Sequence, residues 1–123
     1  MRKLQTGSTP GVPGRIFSTM IHHTVYFWLK PNLPEAERHA FLEALRMLVL
    51  SPNVYSCRVG TPVRPGRDDA DATFDFQLAI EFPSAEDYAA YQSAEDNVHT
   101  MFVLENQDKW ARIRVYDAVS AQG

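Results

Sequence analysis

The sequence predicts an α+β sandwich, one antiparallel sheet of four strands with two helices on one of its faces. Three observations carry that expectation. Two segments, Ile21–Leu29 and Phe74–Phe82, alternate apolar and polar residues with period two, as half-buried strands do. Two others place apolar residues at helical spacing. The whole chain has 123 residues, enough for one hydrophobic core and too few for two.

The first strand is expected from Met20, where Ile21, His23, Val25, Phe27 and Leu29 alternate with His22, Thr24, Tyr26 and Trp28. Lys30-Pro31-Asn32-Leu33-Pro34 breaks it, and Pro34 suits a first helical turn, where its missing N–H is no loss. Phe41, Leu42, Leu45, Leu48 and Val49 then form a helical stripe, which Ser51-Pro52 ends. Val54–Gly60 reads as a short second strand and Thr61–Ala72 as a loop rich in Pro, Gly and Asp. The third strand, Phe74–Phe82, carries the strongest alternation and stops at Pro83. Ser84 caps the second helix, with Asp87 at its third position. That helix is expected to falter at Ser93 and restart near Asp96, because Asp and Asn favour caps over interiors. His99, Phe102, Val103, Asn106 and Trp110 share one face after the restart. Ile113 and Val115 alternate with Arg112, Arg114 and Tyr116 in a closing strand. The domain therefore spans 20–118, between a flexible extension at 1–19 and a short tail at 119–123.

The order βαββαβ gives a ferredoxin-like sandwich, which leaves one sheet face bare. Tyr26, Trp28, Gln77, Ala79, Arg112 and Tyr116 fall on that face. Its two central aromatics call for a cover, so two copies are expected to pack face to face. A wet face is the alternative, since Asp75, Glu81 and Arg114 are placed there too.

Charge narrows the partners. The net charge is −3, but the first 19 residues hold Arg2, Lys3 and Arg15 and no acid, leaving nine basic against fifteen acidic residues in the rest. Such a body suits neither nucleic acid nor an anionic membrane surface. No apolar run approaches the roughly 20 residues of a membrane-spanning helix. With Cys57 as its single cysteine, the chain forms no internal disulfide, which fits a reducing, cytoplasmic setting.

Of four histidines, His23 interrupts an apolar strand face and His99 an apolar helix face, so both point between sheet and helices. Burial favours neutral imidazole, the state a general base requires. Tyr88 and Tyr91 could offer a phenol to a developing oxyanion. The competing reading makes both histidines packing residues bonded to backbone carbonyls. Asp68, Asp69, Asp71 and Asp75 lack the spacing of a calcium loop, and neither metal nor cofactor is expected.

Three segments carry a family resemblance: Met20-Ile21-His22-His23-Thr24-Val25-Tyr26-Phe27-Trp28-Leu29-Lys30; Phe74 to Tyr91; and His99-Thr100-Met101-Phe102-Val103 with Trp110 and Val115-Tyr116-Asp117. Together, over 20–118, they resemble the stress-responsive dimeric α/β-barrel family. The resemblance implies a homodimer whose two sheets form a barrel. That family includes a plant polyketide cyclase with a strand histidine, a helix histidine and a helix tyrosine lining a cavity. His23 matches the first, and His99 the second histidine of a His-Pro-x-His segment; Tyr91 is the nearest match to the tyrosine, with Tyr88 the other candidate. The helix histidine there is the base of an aldol closure. Here Ser93-Ala94-Glu95-Asp96-Asn97-Val98 replaces the first histidine and the proline.

The expectation is thus a homodimer binding a small, mostly apolar or aromatic ligand between sheet and helices. His23, His99 and Tyr91 are the candidate catalytic residues for cofactor-free chemistry of polyketide-cyclase type. Tyr88, Phe27, Phe102 and Val103 are the candidate ligand contacts. A non-catalytic structural or stress-protective dimer is the alternative.

Overall fold

Strand β1 (Ile21–Leu29) buries every second side chain from His23 to Leu29, because its apolar and β-branched residues alternate without a break. It lies inside the sheet, between β3 (Phe76–Phe82) and β4 (Trp110–Val119), with β2 (Ser56–Gly60) beyond β3. All pairings are antiparallel, so this is the expected ferredoxin-like arrangement. The computed structural model describes residues 19–121. Apart from Thr19, the extension expected at 1–19 lies outside the described residues, as do the last two residues of the tail.

Helix α1 (Glu35–Arg46) follows Pro34 and packs Phe41 and Leu45 into the core. It tightens into a 3₁₀ turn over Met47–Leu50. Three residues per turn keep Leu48 inside but swing Val49 out to solvent, so Val49 is not part of the buried stripe as its spacing suggested. The second helical region is two helices. α2 (Ala85–Tyr91) starts at Ser84, whose Oγ accepts from the Asp87 N–H at 3.1 Å. α3 (Asn97–Asn106) starts at Asp96, whose carboxylate accepts from the His99 N–H at 3.0 Å. The restart at Asp96 is thus where the sequence placed it.

Four boundaries differ from the expected ones. β3 opens at Phe76 rather than Phe74, because the chain bends at Asp75. The Asp75 carboxylate accepts from the Leu29 N–H at 2.8 Å and from Arg38 at 2.5 Å, which takes it away from the open sheet face. Phe74 therefore packs edge-on against Tyr26, ring centroids 4.8 Å apart. β2 begins at Ser56 rather than Val54, and Val54 is a core residue ahead of it. Trp110 opens β4 instead of closing the helix face, and Val119 ends that strand instead of beginning a tail.

The core lies between sheet and helices and gathers Val25, Phe27, Leu29, Phe41, Leu45, Leu48, Val54, Phe76, Leu78, Ile80, Phe82, Tyr91 and Phe102. Across the sheet, Tyr26, Trp28, Gln77, Arg112 and Tyr116 line a groove of about 500 Å³ with the loop around Pro62 and Phe74. The Arg112 guanidinium lies 4.1 Å from the centre of the Trp28 ring. Among the described residues no helix is long and apolar enough to cross a membrane.

Candidate functional site

His23 reaches the helix-side layer because it shares the buried face of β1 with Val25 and Phe27. Two facts of topology supply its neighbours. The β1–β4 register sets Asp117 directly opposite His23. α2, entering after Pro83, brings Tyr88 and Tyr91 over the same end of the strand. The His23 ring sits 5.1 Å from Tyr88, 6.0 Å from Phe82 and 6.2 Å from Tyr91, centroid to centroid.

Asp117 ties this group together. One carboxylate oxygen lies 2.5 Å from His23 Nδ1, and the other accepts from the Tyr88 hydroxyl at 2.6 Å. A carboxylate can only accept, so Nδ1 carries a proton, and in the neutral ring Nε2 is the nitrogen with the lone pair. The Tyr88 oxygen is also 3.3 Å from His23 Nδ1 and accepts from Gln92 Nε2 at 3.1 Å. Burial, then the bond to Asp117 and its negative charge, pushes the Tyr88 pKa well above the tyrosine range. Tyr88 is therefore a neutral donor. The cluster stands at a margin: the His23 side chain is 8% exposed, that of Asp117 39%. It opens there because β4 is an edge strand that the helices do not cover.

His99 and Tyr91 form a second, adjoining pair. Their rings stack with centroids 4.0 Å apart and an interplanar angle of 21°. His99 Nδ1 donates to the Tyr91 carbonyl oxygen at 2.9 Å, which again leaves Nε2 as the basic nitrogen. Burial lowers the His99 pKa; the carbonyl bond and Asp96 oppose that effect without cancelling it, and His23 adds to it. Tyr91 is almost wholly buried, and burial raises its pKa first, with Cys57, Asp96 and Tyr88 contributing in the same direction.

His23, Tyr88, Tyr91 and His99 thus share one neighbourhood, with the Tyr91 ring touching both imidazoles. The other sequence-derived candidates lie elsewhere. Phe27 is four residues along β1 from His23, roughly 13 Å. It packs with Phe102, Phe41 and Trp110 in the core, and Val103 lies against the same cluster. Asp117 entered the sequence reading only within the segment Val115-Tyr116-Asp117 of the resemblance, with no chemical role. Its signal was present: a single acid on the face of the closing strand that carries Ile113, Val115 and Val119, matching the lone histidine on β1. Burial raises the thiol pKa of Cys57, so the thiol stays protonated. Among the described residues no group of three His, Cys, Asp or Glu could hold a metal ion.

The model of the stress responsive A/B barrel domain matches residues 21–120. No curated protein matches the chain significantly. Among solved structures, the chain is similar to a hydroxynitrile lyase from Passiflora edulis, with TM-score 0.74 and 17% identity over 86% of this chain and 97% of that one. It is also similar to a Dabb family protein with a ferredoxin-like fold from Mesorhizobium loti, TM-score 0.67 and 26% identity over 84% and 98%. A third, from Thermobifida fusca, is described as a dimeric ferredoxin-like protein of unknown function, with TM-score 0.67 and 14% identity over 83% and 92%.

Proposed function

Since the chain belongs to the stress responsive A/B barrel domain family, we propose that it is a homodimer whose subunits each bind a small, mostly apolar carbonyl compound beside His23. Bound there, the compound undergoes cofactor-free acid/base chemistry. The observation that carries this reading is the bond from a buried imidazole to Asp117 under the Tyr88 hydroxyl. A packing histidine needs no dedicated carboxylate, whereas a base gains from one. Asp117 fixes the tautomer that leaves Nε2 basic and offsets the charge of the imidazolium that forms.

The step is abstraction of a proton from the carbon beside a carbonyl. The proton passes to His23 Nε2, and the electron pair moves onto the carbonyl oxygen. Tyr88 and Tyr91, both kept protonated by their surroundings, are the phenols available to that oxygen. The carbanion so formed can close on a second carbonyl of the same molecule, which is ring closure of a small poly-keto acid. His99, kept neutral by burial, is the second base beside Tyr91.

Dimerisation through the open sheet face is supported by its aromatic lining and by the dimers described for proteins of this fold. Packing there leaves the His23 margin on the opposite, helix-covered side. A single free thiol suits a reducing cytoplasm.

Histidine ring signals followed by NMR test the site. The titrants are pooled β-keto acids, phenolic acids and medium-chain fatty acids, together with small hydroxynitriles, which one neighbour of this fold prompts. The expected result is that the His23 and His99 signals move together and saturate, and that Asp117→Asn abolishes the His23 response. If both stay still in the folded dimer, the non-catalytic structural reading replaces this one.

A further inference from the structure

The ring N–H groups around His23 are already spent. His23 Nδ1 gives its proton to Asp117, His99 Nδ1 donates to the Tyr91 carbonyl, and the Tyr88 hydroxyl donates to the second Asp117 oxygen. In the neutral rings the nitrogens left over are acceptors. Behind His99 stands a second carboxylate, Asp96, which accepts from the His99 N–H at 3.0 Å.

Among the described residues no cation balances these two carboxylates. Residues 83–108, which include α2 and α3, hold six acids, Glu86, Asp87, Glu95, Asp96, Glu105 and Asp108, and neither Lys nor Arg. Below the helices, strand register places no Lys or Arg on the helix side of any strand; Arg58, Arg112 and Arg114 alternate onto the open face. Arg38 is bonded to Asp75, and Lys30 meets Lys109, both at the Leu29 end of β1, away from His23. Arg46 is paired with Glu43 at 2.6 Å. The acids lie on the helix-covered side, so a second copy packed on the open face leaves them in place.

An anion entering this site gives up its water and meets like charge, a juxtaposition that costs heavily. The enolate of the proposed step is different. Its charge appears together with the imidazolium of His23, so the total charge of the site does not change. We propose that the site takes its carbonyl compound uncharged and excludes free carboxylates, so that a poly-keto acid enters as its ester. The selection rests on the binding site proposed beside His23 and adds charge to shape as the basis of its choice.

The test compares β-ketooctanoate with its methyl ester, a pair that differs chiefly by one charge. Binding to the full chain is followed through the His23 and His99 ring signals near neutral pH, where the acid is ionised. The ester should move both signals and saturate. The acid should need at least about tenfold more, the size that one repelled charge near a protein surface gives. Raising salt from about 10 mM to about 1 M shortens the screening length from about 30 Å to about 3 Å, and should narrow the gap. Gln92 Nε2 lies 3.1 Å from the Tyr88 oxygen, so Gln92→Lys sets a cation at the site and should narrow the gap by strengthening the acid. An acid that binds as tightly as its ester overturns the proposal and keeps the site. A gap that neither salt nor Gln92→Lys changes is one of shape, and overturns it too. If neither compound moves the signals, the site beside His23 falls, and the charge selection with it.

Discussion

Two aspartates lie beneath the same sheet, and they differ in what their oxygens are free to do. Asp96 is sealed, with a relative exposure of 2%. It accepts from Ser51 Oγ at 2.6 Å, from Asn53 Nδ2 at 2.9 Å and from the His99 N–H at 3.0 Å. Burial alone would raise its pKa, but the bonds from Ser51, His99 and Asn53 outweigh it and hold the carboxyl below its ordinary value. Asp117 also accepts from two side chains, yet it stands at the rim of an edge strand and one of its partners is an imidazole. The first carboxylate fastens the turn before β2 to the start of α3. The second holds a group that can take up a proton. Hydrogen-bond number does not separate structure from site here; access and the chemistry of the partner do.

Truncating the sealed aspartate gives the largest expected effect. Asp96→Ala removes an N-cap, typically about 1 kcal/mol. It also leaves the side chains of Ser51 and Asn53 buried without their acceptor, a cost of about 1–3 kcal/mol. A loss of roughly 2–4 kcal/mol in urea unfolding is expected. A loss no greater than that of Asp117→Ala would erase the contrast.

At the open aspartate the effect moves from stability to binding. Asp117→Ala should cost at most about 1 kcal/mol, the range of a solvent-screened pair, because water can replace its bonds. The same change should abolish the ligand-induced shift of the His23 signal. Tyr88→Phe sharpens the contrast further: the carboxylate and imidazole stay, only the phenol is lost, and stability should change by less than in Asp117→Ala. A ligand response in Tyr88→Phe equal to that of the unaltered protein would remove Tyr88 from the site while leaving His23 in it.

What the sequence disclosed follows from how far each feature reaches along the chain. The alternation of β1, the Ser84 cap and the restart at Asp96 are local, each decided within a few residues. Periodicity misled where the backbone changed geometry without changing its pattern. The 3₁₀ turn moved Val49 outward, and the bend at Asp75 sent Phe74 to the open face. Asp117 was invisible as a partner because 94 positions separate it from His23, and only the β1–β4 register joins them. The two tyrosines show a finer limit. Tyr88 and Tyr91 are one helical turn apart, and spacing cannot tell which meets the carboxylate and which stacks on His99.

The smallest expected effect is a pH dependence, and it tests whether the sealed and open regions communicate through His99. Burial lowers the His99 pKa below its ordinary value of 6.5. The unfolded chain therefore binds more protons at this residue than the folded one as pH falls through that value. Stability rises with pH wherever the unfolded state holds the extra protons, so this contribution is complete above pH 6.5 and is lost progressively below it. Asp96, held below the ordinary carboxylate value, loses its own contribution only at a lower pH. Urea midpoints measured between neutral pH and pH 5 should fall for the unaltered protein and fall less for His99→Gln, which cannot gain the proton. Equal slopes would mean that His99 takes up its proton in place, with Asp96 and the Tyr91 carbonyl compensating the charge. His99 would then enter the reaction already protonated below pH 6.5, and the role of second base would pass from it.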